Sequence, residues 1–191
     1  MSNEVYFDVL FPTFVLYSDN TNIVTDEIVK LSKKIITENA DKPYYSNCTS
    51  TVKTNGNILE MPAFADIKKA IIFTLGAYVQ KLKIDGTDLR FSASWLNLYN
   101  KHGYQDLHNH NGSKISGVFY IKSEGNKDLI FQSPSHFFQP ITPDFTEINL
   151  DNCSNVEYHS EPGRCYIFPS HLMHRTLPAT SERISLSFNI I

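Results

Sequence analysis

The stretch R-I-S-L-S-F-N-I-I, from Arg183 to Ile191, decides the fold because its polar and apolar residues alternate almost to its end. Successive side chains of a β-strand point to opposite faces, so this alternation predicts a strand with one polar and one apolar face. The same two-residue period recurs upstream as far as Leu89, and turn residues interrupt it about every eight to twelve positions. Such a pattern is typical of an antiparallel barrel or sandwich.

Six strands are predicted in this part of the chain, separated by glycines and prolines. They are Leu89 to Tyr99, Ile115 to Lys122, Leu129 to Gln132, Val156 to His159, Arg164 to Phe168 and Arg183 to Ile191. From Pro140 to Asn155 the sequence is polar and irregular, which predicts a connecting loop over the mouth of a site.

Two helices are predicted before the strands. Thr25 is expected to cap the first helix, whose apolar residues fall on one stripe: Ile28, Leu31, Ile35 and Ile36. Apolar residues then repeat at intervals of three and four from Phe64 to Leu82, which predicts a longer amphipathic helix. We therefore expect a single domain over residues 1–191, with the helices mainly in residues 25–84 and the β core in residues 89–191.

The N-terminal segment, Val5 to Leu16, is rich in aromatic and β-branched residues but is interrupted by Pro12. Proline cannot donate a ladder hydrogen bond, so one or two short edge strands are expected there. Cysteines are few and far apart: Cys48, Cys153 and Cys165 include no C-x-x-C pair, which predicts free thiols rather than disulfides or a zinc ribbon.

Composition limits the classes of function. The chain has 191 residues, of which 41% are hydrophobic and 13% aromatic, enough for one core without disulfides. A net charge of −3 and a pI near 6.1, without a run of lysine or arginine, argue against a nucleic-acid partner. No stretch approaches the roughly 20 apolar residues of a membrane span, and no signal peptide is recognisable. A soluble, cytoplasmic protein is expected.

The segment D-L-H-N-H, from Asp106 to His110, indicates a metal site. Histidines two residues apart point to the same side of an extended strand, and His174, much later, could complete a facial set of metal ligands. The pair alone is weak evidence, because a chain with seven histidines has an H-x-H by chance in about one case in four. His171 competes with His174 as the third ligand. The Asp106 carboxylate could hold a ligand imidazole or simply be exposed.

Five motifs, taken in order, carry a resemblance to a known family. They are N-L-Y (97–99), Y-Q-D-L-H-N-H (104–110), S-G-V-F-Y-I (116–121), P-G-R-C-Y-I-F-P-S-H-L-M-H (162–174) and R-I-S-L-S-F (183–188). Together they resemble the Fe(II)- and 2-oxoglutarate-dependent oxygenases, and most of all a 2OG-Fe(II) oxygenase family common in cyanophages and marine bacteria. That family carries H-N-H-P, S-G-V-Y-Y and F-P-S-x-x-x-H followed by E-R-I-S-x-S-F.

The resemblance implies a fold and a site. The fold would be a double-stranded β-helix, a cupin-like jelly roll, buttressed by the two helices. Iron would be bound by His108, His110 and His174, although oxygenases at large more often have an aspartate where this chain has His110. By the same resemblance, a second group of residues would bind the distal carboxylate of 2-oxoglutarate: Arg183, Ser185, Tyr120 and Tyr99.

The implied activity is that of a dioxygenase using Fe(II), 2-oxoglutarate and O2, which hydroxylates a peptidyl residue or a small molecule and releases succinate and CO2. It would act without a membrane or nucleic-acid partner, in the host cytoplasm if a phage encodes it. Two alternatives stay open: a cupin-type three-histidine metalloenzyme without 2-oxoglutarate, and a non-catalytic binding domain on the same fold. Arg183 and Ser185 favour the oxygenase, because a cupin without an oxo-acid co-substrate has no use for that pair.

Overall fold

The computed structural model describes residues 5–40, 47–135 and 143–191. His136 and part of the loop predicted from Pro140 to Asn155 lie outside the described residues. Within the described ranges, two α-helices, α1 (Asp26–Asn39) and α2 (Ala65–Leu82), accompany ten strands. The strands are β1 (Leu16–Asp19), β2 (Cys48–Ser50), β3 (Phe91–Tyr99), β4 (Gln105–His108), β5 (Ile115–Lys122), β6 (Lys127–Gln132), β7 (Asn155–His159), β8 (Arg164–Pro169), β9 (His174–Thr176) and β10 (Arg183–Ile190).

The strands form two sheets in which neighbours run antiparallel. The major sheet has six strands in the order β1-β8-β5-β10-β3-β2, and the minor sheet has four in the order β4-β9-β6-β7. Side chains of both sheets meet in one apolar cluster, to which β5 and β8 contribute from the major sheet and β6 from the minor sheet: Tyr120, Leu129, Phe131, Tyr166, Phe168 and Leu172. The two sheets therefore face each other and enclose the interior of a flattened barrel.

The two helices cover the outer face of the major sheet. Their buried stripes, which include Ile36 of α1 and Ile71 of α2, share a second and larger core with Ile184, Leu186 and Phe188 of β10. Because side chains alternate along a strand, the other residues of β10 must point into the barrel. The polar face predicted for this strand is thus its inward face.

Most of the predicted elements are confirmed. The Thr25 hydroxyl accepts a hydrogen bond from the Ile28 N–H at the start of α1, as expected of a cap. The predicted second helix and the six predicted strands agree with the structure within one or two residues at each end. All three cysteines are free thiols. Among the described residues, no helix is both long and apolar enough to cross a membrane.

The prediction of strands from Val5 to Leu16 is wrong for all but the last residue. Residues 5–15 form no strand, and β1 begins only at Leu16, where it pairs with β8 at the edge of the major sheet. Phe11 has a positive φ of 57°, which breaks an extended chain just before Pro12. The sequence also did not predict β2, β4 and β9, since three or four residues are too few to show a period.

Close packing inside the major sheet predicts opposite effects for two glycine substitutions. A Cβ on Gly117 would lie 2.2 Å from the Phe188 ring and 2.5 Å from the Tyr166 carbonyl oxygen, whereas a Cβ on Gly76 of α2 meets nothing within 4 Å. We expect Gly117→Ala to lower the free energy of unfolding by about 1–3 kcal/mol through overpacking. Gly76→Ala should raise it by about 0.5–1 kcal/mol, because alanine favours a helix. Urea unfolding of both variants tests this, and similar shifts would contradict it.

Candidate active site

Three histidines meet beside the minor sheet. His108 is the last residue of β4 and His174 the first of β9, and the two are paired across the strands. His110 follows β4 by two residues, and its N–H donates to the Ser170 carbonyl at 2.9 Å, which ties this segment to the turn before β9. One nitrogen from each of the three imidazoles lies within 4.8 Å of the others. The set can hold a metal ion on one face.

The orientation of two of these rings is fixed by main-chain carbonyls. Nδ1 of His108 lies 2.7 Å from the carbonyl oxygen of Asp106, and Nδ1 of His174 lies 2.9 Å from that of Leu172. A carbonyl oxygen only accepts, so each Nδ1 must carry the proton and each Nε2 must offer its lone pair. Asp106 thus contributes its main-chain carbonyl to His108, and its side chain is exposed.

The surroundings keep all three imidazoles neutral. Burial, followed by the neighbouring imidazoles, lowers the pKa of His174 to about 3 and that of His110 to about 4. Burial also lowers the pKa of His108, against the effect of its hydrogen bonds. Aromatic rings supply much of this burial: Phe168 lies 4.8 Å from His174 and Trp95 5.7 Å from His110, centroid to centroid. Neutral imidazole is the form that binds a metal, so no proton has to leave first.

A buried arginine lies on the major sheet. Arg183, at the start of β10, is 2% exposed, and it forms an ion pair with Asp128 of β6. Its Nη2 also donates to the Leu177 carbonyl at 3.4 Å, and its guanidinium stacks 4.5 Å from the centre of the Tyr99 ring. The contacts of Arg183 hold its guanidinium plane in a fixed position inside the barrel.

Polar atoms without partners surround this arginine. Among the described residues, the Tyr120 hydroxyl, Arg183 Nε and Asp128 Oδ1 are buried and have no hydrogen-bond partner. Ser185 is also buried, and it pairs in register with Tyr120 of β5 and with Asn97 of β3. A buried polar group left without a partner costs about 1–3 kcal/mol. Such a cluster therefore indicates a binding site for a polar ligand.

The two groups of residues face the same interior at a short separation. Phe131 of β6 pairs with His174, and three residues earlier the Asp128 carbonyl accepts from the Leu177 N–H at 2.8 Å. Three residues of a strand span about 10 Å. The histidine group and the Arg183 group are therefore offset by about this length along β6.

The seven residues predicted to bind iron or 2-oxoglutarate thus line the interior of the barrel. The other described histidines do not belong to this group. His171 and His102 are exposed, and His159 is held through Nδ1 by the Gly125 carbonyl at 2.7 Å. Asp128 was not predicted to take part. The sequence does carry one indication of its role, since Asp128 is an acidic residue next to the apolar run of the strand K-D-L-I-F-Q. Acidic side chains are rarely buried without a partner.

The facing antiparallel sheets define the class of double-stranded β-helix proteins, and the group of histidines is a candidate metal site within that fold. Residues 93–189 match the family described as "Putative 2OG-Fe(II) oxygenase", and the chain belongs to this family. The match runs from β3 to β10 and includes all seven residues. The cofactors of the family are Fe(II), 2-oxoglutarate and O2.

Solved structures share the fold over nearly the whole chain. HygX from Streptomyces hygroscopicus, with nickel, 2-oxoglutarate and hygromycin B bound, superposes with a TM-score of 0.62 at 14% identity, covering 93% of this chain and 82% of its own. A prolyl-4-hydroxylase from Pseudomonas putida gives 0.64 at 14% identity, with 93% and 92% covered. The collagen prolyl hydroxylase vCPH of Paramecium Bursaria Chlorella virus-1 gives 0.55 at 13%, with 92% and 94% covered. These confirm the double-stranded β-helix. No curated protein matches the sequence.

Proposed function

We propose that this protein is a 2-oxoglutarate- and Fe(II)-dependent dioxygenase that hydroxylates a peptidyl residue or a small molecule and releases succinate and CO2. One observation carries the proposal. Three neutral imidazoles lie near Phe131 of β6, and a buried arginine of the other sheet lies against Asp128, about 10 Å earlier on that strand. This arginine and the neighbouring Tyr120 have buried polar atoms without partners among the described residues. A short oxo acid that binds a metal at one end and a guanidinium at the other fits this arrangement.

Iron would be bound by His108, His110 and His174, which would occupy one face of its coordination sphere. Bound there with 2-oxoglutarate and O2, iron supplies the oxidising chemistry of the family. The carbonyls of Asp106 and Leu172 would keep two of the rings turned toward the metal. With three neutral ligands instead of two and a carboxylate, the site keeps the full charge of the metal, which favours an anionic co-substrate and weakens the hold on a hard cation.

The distal carboxylate of 2-oxoglutarate would be bound at the other end. The Arg183 fork donates charge-assisted hydrogen bonds, and Tyr99 keeps its guanidinium in plane by stacking against it. Burial raises the pKa of Tyr120, so its hydroxyl keeps its proton and donates as well. The Ser185 hydroxyl, next to Tyr120 in register, is the third donor.

A peptidyl residue and a small molecule are both supported as substrates. HygX is seen with hygromycin B, and a prolyl hydroxylase of the same fold from Trichoplax adhaerens is seen with a peptide fragment. In this chain the Leu107 side chain, next to His108, is exposed.

The cupin-type alternative, a three-histidine enzyme without 2-oxoglutarate, is favoured by one contact. Arg183 already has Asp128 as a counter-ion, as a purely structural arginine would. The Tyr120 hydroxyl argues against this alternative. It is buried without a hydrogen-bond partner among the described residues, and a structural ion pair does not explain such a donor.

The test is anaerobic addition of Fe(II) and then 2-oxoglutarate to the purified protein. We expect the visible charge-transfer absorption of an iron-bound oxo acid. Folded, iron-loaded protein without this absorption would favour the cupin-type enzyme. Folded protein that takes up no iron would instead indicate a non-catalytic binding domain.

The same titration makes a prediction for Tyr120. Tyr120→Phe removes only a hydroxyl that has no hydrogen-bond partner among the described residues, so stability should be kept. The affinity for 2-oxoglutarate should fall by about tenfold or more, the value of a hydrogen bond to a charged group. Tyr166→Phe is the matched control, because that hydroxyl already donates to the His159 carbonyl at 2.6 Å. The control should lose about 1 kcal/mol of stability and keep its affinity. Equal affinities in the two variants would contradict the role of Tyr120.

A further inference from the structure

The guanidinium that would bind the co-substrate is paired with a carboxylate of the protein itself. Arg183 is 2% exposed and Asp128 6%, so neither charge is solvated by bulk water. One Asp128 oxygen contacts Arg183 Nη1, and the other oxygen is buried without a partner among the described residues. A structural ion pair would use both oxygens, whereas here one remains available.

Among the described residues, the other groups that act on Asp128 carry no charge. They are Tyr120 of β5 and the side chain of Ser160, after β7. Tyr99 of β3 and Cys48 of β2 lie beyond the guanidinium, and burial raises the pKa of both, that of Cys48 to about 12. Arg183 is thus the cation that acts on Asp128, and the pair is neutral in sum.

A dicarboxylic co-substrate disturbs this balance. Its distal carboxylate brings a second negative charge to a desolvated site that has one positive charge. Two carboxylates that share one buried site do not both stay ionised without a large penalty. The penalty is removed if one of the two carboxylates is protonated.

We propose, on the basis of the function proposed above, that Asp128 takes up one proton from solvent when the distal carboxylate of 2-oxoglutarate enters, so that co-substrate binding is coupled to protonation of this side chain. One O–H bond forms on Asp128, one bond to hydrogen breaks in the hydronium ion or buffer acid that gives the proton, and no covalent bond of the co-substrate changes. Asp128 then releases an N–H of Arg183 to the incoming carboxylate and itself becomes a donor toward that carboxylate. Asp128 is therefore a positioning residue for the co-substrate.

The direction of the pH effect follows from this coupling. Burial already raises the pKa of Asp128 in the free protein, against the opposing effect of Arg183, and a second carboxylate raises it further. Between the pKa of the free protein and that of the complex, binding takes up a proton, so the affinity for 2-oxoglutarate falls as pH rises, by up to about tenfold per pH unit. A 2-oxo acid with no distal carboxylate, such as 2-oxobutyrate, should bind without this dependence.

Calorimetry of protein saturated with Mn(II) measures the proton directly. Saturation with Mn(II) keeps the three histidines from titrating, and two buffers with different heats of ionisation then give the number of protons taken up as 2-oxoglutarate binds. We expect about one proton for 2-oxoglutarate and none for 2-oxobutyrate. This comparison uses the wild-type protein and depends on no variant.

Asp128→Asn locates the proton. The amide cannot ionise but its oxygen still accepts from Arg183, so 2-oxoglutarate should bind with no proton uptake and with a pH-independent affinity. Asp66→Asn on α2, where the carboxylate forms an exposed pair with Lys69, is the matched control and should keep the uptake.

The outcomes separate the two proposals. If 2-oxoglutarate binds wild-type protein without a proton, or if Asp128→Asn retains the uptake, the coupling is wrong and the proposed function stands. If the Mn(II)-loaded protein binds no 2-oxoglutarate at all, the proposed function fails, and the coupling fails with it.

Discussion

His174→Ala is expected to abolish metal-dependent turnover. The variant would lose one of the three proposed ligands, and among the described residues the group includes no carboxylate that could compensate. The affinity for Fe(II) or Mn(II) should therefore fall by more than about 100-fold, beyond the loss typical of groups that only orient a ligand. Metal titration by calorimetry and release of CO2 from 2-oxoglutarate measure the two consequences. The small residue also leaves a cavity between Phe168 and Phe131, both of which contact the His174 ring.

His171→Ala is the matched control. His171 lies three residues earlier and is exposed, and it does not belong to the histidine group. Metal affinity and turnover should be retained in this variant. The reverse result, with metal binding lost in His171→Ala and kept in His174→Ala, would show that the wrong histidine has been assigned to the site.

Sequence periodicity predicted the parts of this fold in which one face of an element is buried over several turns or pleats. The stripe on α1 and the alternation on β10 are both long enough to be read, and both lie in the core shared by the helices and the major sheet. The residues 5–15, by contrast, have the composition of a strand and form none. The composition of a segment shows which side chains it could bury. Whether a strand forms depends on a neighbouring strand with which the segment can pair.

The candidate site was predictable only in part, for a related reason. His108 and His110 are close in sequence, and His174 and Arg183 follow in a recognisable order, so the motifs bring these residues together. Asp128 belongs to no motif, because its role depends on the pairing of β6 with β9 and on the reach of Arg183 from the other sheet. A contact between two sheets cannot be read from the period of either strand.

Arg183→Met is expected to be the most destabilising of the variants considered, because it leaves the Asp128 carboxylate buried without its counter-ion. Removing one partner of a buried pair costs about 3–5 kcal/mol, far more than the pair itself contributes. The control is Arg164→Met, which breaks the pair with Asp19, whose side chain is 52% exposed, and should cost only about 0–1 kcal/mol. Urea unfolding of both variants gives the comparison.

The loss in Arg183→Met should grow with pH. Without the guanidinium, burial raises the pKa of Asp128 further above that of the unfolded chain, so the folded protein binds more protons than the unfolded chain over the interval between the two values. Stability then falls as pH rises through that interval, and at lower pH, where both states are protonated, the variant should approach the wild type. A loss that does not change with pH would mean that Asp128 is not the source of the instability.

Adding Asp128→Asn to Arg183→Met separates folding from co-substrate binding. The amide removes the buried charge, so the double variant should be more stable than Arg183→Met alone, with a coupling of about 0.5–3 kcal/mol. Binding of 2-oxoglutarate should stay lost, because the guanidinium proposed to bind the distal carboxylate is still missing. If stability and binding were both recovered, the distal carboxylate would have to bind elsewhere, and Arg183 would be the structural partner of Asp128 that the cupin-type alternative requires.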